Sequence, residues 1–117
     1  MAYAPLGRGF LTGRFASPAE FEQGDFRASN PRFAQDAFEP NMRIVDVVRQ
    51  VAAGKGVTPA QVALAWVHSR GDDVVPIPGT RRPSRLEENV GALEVTFTRD
   101  ELDRLEPLSR EVVGARY

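Results

Sequence analysis

The stretch Ile77-Pro78-Gly79-Thr80-Arg81-Arg82-Pro83-Ser84-Arg85-Leu86-Glu87-Glu88-Asn89 constrains the fold of this chain more than any other. Before it, Asp73 to Ile77 reads as a strand. Its run Val74-Val75-Pro76-Ile77 is short and apolar, as a buried parallel strand is. After it, Pro83 to about Val90 reads as a helix, with Ser84 and Glu87 spaced as a capping box. A strand that turns through a glycine into a helix is the repeating unit of a parallel α/β sheet. The start of this helix is crowded with arginine and hydroxyl groups. Helix-start N–H groups carry partial positive charge and attract anions, and guanidinium forks match phosphate geometry. The residues therefore read as a phosphate site at a strand end, formed around Gly79, Thr80, Arg81 and Arg85. An arginine-rich exposed turn accounts for the same pattern.

The rest of the chain supports the α/β reading. The first residues form the end of a strand that Pro5 and Gly7 stop. Phe10 to Gln35 is rich in Gly, Pro, Ser and Asn and reads as one long loop. Its phenylalanines and the next one along (Phe15, Phe21, Phe26, Phe33, Phe38) follow no helical or strand period, which suits a loop pinned by occasional aromatic contacts. From Asn41 to Ala53 the spacing of Ile44, Val45, Val48, Val51 and Ala52 predicts a helix with Arg43, Arg49 and Gln50 facing outward. Gly54 and Gly56 are placed to end it in left-handed geometry. Thr58, Pro59 and Gln61 form the capping box of the next helix, which runs to about Ser69 with Val62, Ala63, Trp66 and Val67 on one face and Leu64 on the other. Thr98-Arg99-Asp100-Glu101 opens a last helix with Leu102 and Leu105 inward, limited by Pro107. The order is strand, long loop, two helices, strand, helix, helix.

Several chemistries are set aside on composition. The chain of 117 residues has no cysteine, which removes disulfides, thiolate catalysis and Cys-ligated metal. A formal net charge of −1 gives no reason to expect nucleic-acid binding. No apolar run approaches the length of a membrane span, and Met1-Ala2-Tyr3-Ala4-Pro5 lacks the features of a signal peptide, so a cytoplasmic location is expected. Gly7-x-Gly9-x-x-x-Gly13 misses the spacing of a dinucleotide fingerprint by one residue, and Gly54-Lys55-Gly56 is a helix end rather than a P-loop. Asp100, Glu101, Asp103 and Glu106 suit the dipole of a helix start better than a metal ion. His68, the single histidine, has no acidic partner on its helix face and reads as solvated.

The motifs also resemble a known family. Pro78-Gly79-Thr80-Arg81, followed by Arg85 and Glu87-Glu88-Asn89, is similar to the C-terminal cofactor motif of the aldo-keto reductases. Tyr3-Ala4-Pro5-Leu6-Gly7-Arg8-Gly9-Phe10-Leu11-Thr12-Gly13 resembles the segment leaving their seventh barrel strand. Thr58-Pro59-Ala60-Gln61-Val62-Ala63-Leu64-Ala65-Trp66 resembles their penultimate helix. The resemblance covers the whole chain but only the last third or so of a family member. It implies an α/β fold, the C-terminal part of a (β/α)8 TIM barrel, incomplete as a barrel, since such a barrel takes about 250 residues.

What the resemblance implies for function is equally partial. The cofactor would be NADP(H). Tyr3 would stack beneath the nicotinamide, and Pro5, Leu6, Gly7 and Gly9 would bring backbone to the pyrophosphate. Thr80 and Arg85 would hold the 2′-phosphate with Gly79 and Arg81 beside them, and Glu88 and Asn89 would reach the adenine. The family's catalytic Asp, Tyr, Lys and His lie on its first half, and Tyr3 and Tyr117 do not stand in the catalytic context. The chain thus reads as the cofactor end of an oxidoreductase acting on carbonyl or alcohol groups. It would associate with a missing N-terminal half or with itself. A non-catalytic nucleotide- or partner-binding fragment, or a truncated gene product without activity, are the alternatives.

Overall fold

The computed structural model describes residues 2–12, 23–30, 32 and 34–112. Phe15, Phe21, Phe33, Gly13 and Tyr117 fall outside the described residues. Strand β1 (Ala2–Tyr3) is followed by a 3-10 helix over Gly7–Thr12. Helices α1 (Phe26–Ser29), α2 (Gln35–Lys55) and α3 (Pro59–His68) come next. Strand β2 (Pro76–Ile77) then leads to α4 (Pro83–Gly91), α5 (Arg99–Leu105) and α6 (Leu108–Glu111). The two strands pair in parallel, Ala2 opposite Pro76 and Tyr3 opposite Ile77. Parallel neighbours need a long crossover, and α2 and α3 supply it.

The core follows the predicted periodicity. Ile44, Val45, Val48, Val51 and Ala52 are all buried on α2, while Arg43, Arg49 and Gln50 are exposed. Val48, Val51 and Ala52 pack with Val62 of α3 and Leu105 of α5. Gly56 ends α2 at φ 69°, and the Gly56 and Val57 N–H groups turn back onto the Ala53 and Ala52 carbonyls. That is the left-handed cap its glycine makes inexpensive. Both full capping boxes stand as expected, at Thr58/Gln61 and Thr98/Glu101.

The structure departs from the sequence reading in several places. Helix α2 starts at Gln35, six residues before the expected start, and carries Pro40 inside it. The proline forfeits one helical hydrogen bond, a cost that the burial of Phe38, 1% exposed, offsets. The segment read as one loop contains the 3-10 helix and α1. On α3, Leu64 is as buried as Val62, because that helix is covered on both sides. The Ser84/Glu87 capping box is not formed. Arg82 is the N-cap and Pro83 the first helical residue, which places Ser84 inside the helix.

Strand β2 is parallel as expected but covers only Pro76–Ile77 of the expected Asp73–Ile77, and Val75 before it and Ile77 within it are 49% and 44% exposed. Among the described residues the sheet has only the two strands, so one edge of β2 has no strand beside it. Leu86 and Val90, four residues apart on α4, are likewise 57% and 56% exposed, and Leu93, in the 3-10 helix Ala92–Glu94 that follows, is 64% exposed.

One ion pair ties the end of α2 to the start of α5. Lys55 Nζ lies 2.8 Å from Glu101 Oε1, with both side chains about one-fifth exposed, 19% and 18%. The ammonium also sits 5.6 Å from the centre of the Phe97 ring. Lys55, and then the Thr98 N–H, hold the Glu101 carboxyl below its ordinary value of 4.5. A lowered folded-state value means that the stabilisation is complete above about pH 4.5 and is lost as pH falls through the folded value. Lys55→Met should therefore lower the denaturant midpoint at pH 7, and the gap from the parent should close toward pH 3. A gap independent of pH would show that the pair contributes nothing through charge.

Candidate functional site

The parallel register decides the geometry of the site. Both strands point the same way, so Ala4–Thr12 and Pro78–Arg82 leave the sheet at one end. Ligands in α/β folds bind at that end of the strands.

The first segment is a tight, strained turn. The Gly7 N–H bonds the Ala4 carbonyl at 3.0 Å, and the Leu11 N–H bonds Leu6 at 3.1 Å. Ala4, Gly7 and Arg8 have φ of 49°, 58° and 57°. Glycine takes this left-handed geometry freely, whereas a residue with a Cβ does so at a cost of about 1–2 kcal/mol. Non-glycine residues held there mark functional turns more often than ordinary ones. Pro5 and Leu6 are half-buried in this turn, and Gly9 lies in the 3-10 helix that follows. Tyr3 stands at the strand end with its backbone paired to Ile77.

The second segment begins at Pro78. Gly79 does not use left-handed geometry, and a Cβ placed there would meet nothing within 4 Å. The glycine therefore relieves no clash within the protein. It leaves bare backbone beside open space, which lets a ligand come close. The Thr80 hydroxyl accepts the Arg82 N–H at 3.2 Å, a local turn that fixes the approach to α4. Thr80, Arg81, Arg82 and Arg85 are all exposed.

Arg85 does not turn back to the helix start. Its Nη1 reaches forward to Glu88 Oε2 at 2.9 Å. The arginine side chain is 59% exposed, so the pair contributes at most about 1 kcal/mol and exchanges readily for a better anion. Glu88 is engaged on its other oxygen too, accepting the Thr58 hydroxyl at 3.0 Å. Gln61 completes the link. Its Oε1 accepts the Thr58 N–H at 3.1 Å and its Nε2 donates to the Glu88 carbonyl at 2.9 Å. Gly91 gives the amide room, since a Cβ there would lie 2.7 Å from Gln61 Nε2. Helix α4 thus hangs from the capping box of α3 by Glu88, with Asn89 beside it and half-buried.

A further pair of residues went unread in the sequence. Asp25 caps α1 and accepts from the Arg27 N–H at 2.9 Å and from Arg27 Nε at 3.0 Å. Arg27 Nη1 in turn donates to the Arg8 carbonyl at 3.2 Å. The hydrogen bonds from Arg27 pull the Asp25 carboxyl down to about 2. Asp25-x-Arg27 announces a local cap and pair, but nothing in the pattern points to Arg8, 19 residues back.

The donor set fits a phosphate-bearing nucleotide: bare backbone at Gly79, a hydroxyl at Thr80, guanidinium groups at 81 and 85, and a pre-bent turn opposite. An apolar cavity of about 170 Å³, lined by Pro5 and Leu11 of the turn and by Ile44, Val48, Val62 and Trp66 among others, includes none of the arginines. Among the described residues no group of acidic or histidine side chains is arranged to hold a metal. His68 is exposed at the end of α3.

Comparison with known proteins bears directly on this arrangement. The family model for the aldo/keto reductase family matches residues 1–110. The chain belongs to that family. It is 44% identical over 119 aligned residues to a protein of Schizosaccharomyces pombe named aldo-keto reductase yakc, NADP(+), covering 100% of this chain and 35% of that protein. It is 40% identical over 111 residues to aldo-keto reductase str7 of Strobilurus tenacellus, covering 95% of this chain and 33% of the relative. The chain thus spans about a third of the length of the relatives it matches. The family is one of oxidoreductases built on (β/α)8 barrels, and the described residues form two parallel strands and no closed barrel. No helix among the described residues is long and apolar enough to cross a membrane.

Proposed function

We propose that this aldo/keto reductase chain is the C-terminal, cofactor-binding portion of an NADP(H)-dependent barrel enzyme acting on carbonyl and alcohol groups. The observation that carries the reading is the parallel register of β1 and β2, which sets the Gly7 turn and the Thr80–Arg85 segment at one end of the sheet. The name of the S. pombe relative supports the cofactor. When bound, the nicotinamide supplies or accepts the hydride. The work of this chain is to hold the nucleotide. Tyr3 stands beside the nicotinamide. Pro5, Leu6, Gly7 and Gly9 present backbone to the pyrophosphate. Thr80, Arg81 and Arg85 hold the 2′-phosphate next to Gly79, and Glu88 and Asn89 flank the adenine. Glu88 does so while braced by Thr58, so its carbonyl and carboxylate also set the position of α4.

Titration of an intact barrel that contains this chain with NADPH and with NADH tests this. Tighter NADPH binding is the expected result, and equal affinities or no binding of either would overturn the reading.

The remainder of the barrel is the natural cover for the open β2 edge and for the exposed Leu86, Val90 and Leu93. By itself the chain should associate through these surfaces or remain loosely packed. A monomer by sedimentation velocity that also unfolds cooperatively with heat would contradict this expectation.

A further inference from the structure

The turn that follows β1 is held in place from outside itself. Ala4 and Arg8 both sit in left-handed geometry without being glycine, so the isolated segment would relax out of it. Backbone hydrogen bonds within the turn include Gly7 to Ala4 and Leu11 to Leu6. A restraint from outside it comes from Arg27, whose Nη1 holds the carbonyl of Arg8.

That guanidinium is itself fixed before it reaches Arg8. Asp25 takes its Nε and Nη2, and Asp25 is locked in turn as the N-cap of α1. A planar fork gripped on one edge by a carboxylate has its remaining N–H groups aimed in a set direction. The Asp25 and Arg27 side chains are 17% and 25% exposed, so solvent competes little for the pair. Asp25 is ionised throughout the neutral range, and the brace is therefore intact wherever the protein is used.

We infer that Arg27, oriented by Asp25, is a positioning residue that pre-organises the Ala4–Gly9 backbone for the diphosphate of the cofactor. The inference rests on the proposed NADP(H) reading. It assigns no contact between Arg27 and the nucleotide. Arg27 acts through the Arg8 carbonyl, and the benefit is that the turn does not have to be ordered when the ligand arrives. This role differs from that of Arg85. The diphosphate is common to NADPH and NADH, so loss of the brace should weaken both cofactors alike.

The test uses an intact barrel that contains this chain, with Arg27→Ala, Arg27→Lys and Asp25→Asn. The first readout needs no cofactor: amide exchange at Gly7 and Leu11, whose N–H groups close the turn. Exchange should accelerate in Arg27→Ala and in Asp25→Asn, while amides of the α2 and α3 core keep their protection. The second readout is affinity. Arg27→Ala should weaken NADPH and NADH by the same factor, about tenfold, with Arg27→Lys recovering part of the loss. Unchanged exchange at Gly7 and Leu11 would overturn the brace itself. Faster exchange with unchanged affinity would overturn its role in binding. Loss of NADPH affinity alone would mean that Arg27 meets the 2′-phosphate, which also overturns the inference. Core protection lost together with the turn would show a general structural role instead. Failure of the parent barrel to bind either cofactor would refute the NADP(H) reading, and with it the role inferred in binding, and would leave the exchange result to judge the brace alone.

Discussion

Arg85→Ala, made in a barrel that contains this segment, is expected to weaken NADPH binding by about 10- to 150-fold and to leave NADH binding nearly unchanged. The two cofactors differ by one 2′-phosphate, a dianion or close to it at neutral pH. A hydrogen bond between ionised partners contributes roughly 1.5–3 kcal/mol, which converts to that range of affinity. Arg85 has little to lose by turning to a phosphate. Its present partner is Glu88, at 2.9 Å on an exposed face of α4, a pair worth about 1 kcal/mol at most. The substitution leaves Glu88 anchored by Thr58 and Gln61, so α4 should stay where it is. Fluorescence titration with both cofactors decides the matter. Equal losses for NADPH and NADH would make Arg85 a structural residue and move the phosphate role to Arg81.

The chain by itself should show no measurable NADPH oxidation with common aldehydes. Reduction of a carbonyl needs a proton on oxygen as hydride reaches carbon. Removing a positioned general acid costs about 100- to 10,000-fold. The single histidine is exposed at the far end of α3, and the tyrosine at position 3 belongs to a strand end in a context unlike that of a proton donor. The site proposed here is one for phosphate, and none of its described residues is an acid aimed at a carbonyl. A steady rate that follows this chain through extensive purification, and that is lost on its removal with a tag-specific resin, would refute the assignment to cofactor binding alone.

Much of this protein was legible locally. Thr58, Pro59 and Gln61 announce a helix start because each satisfies or forgoes a backbone donor within four residues, and no distant part of the chain enters that balance. The same holds for Thr98 and Glu101, and for Gly56 at the end of α2. The buried face of α2 was readable from Ile44 to Ala52 because its helical period is a property of the segment. Where local rules failed, a distant contact had overridden them. The expected start of α2 at Asn41 came from the spacing of Ile44 to Ala52, and the helix instead begins at Gln35 and runs through Pro40, with Phe38 buried just before that proline. Leu64 read as outward until the packing around α3 covered both of its sides.

The candidate site divides along the same line. The residue types that suit phosphate were written in the order Gly79, Thr80, Arg81, Arg85, and short-range chemistry is enough to recognise them. Their present partners were not. Arg85 turns to Glu88, and Glu88 is shared with Thr58, 30 residues away. Arg27 meets Arg8 across 19 residues, and the left-handed geometry of Ala4 and Arg8 has no signature in residues that normally avoid it. The sequence alone determined the capped starts of α3 and α5, the glycine end of α2 and the residue types at the candidate site, because caps and periodicity are satisfied within a few residues. Only the tertiary structure decided that β1 lies parallel to β2 and which side chains hold the strained turn, because strand pairing and side-chain reach depend on groups that chain separation hides.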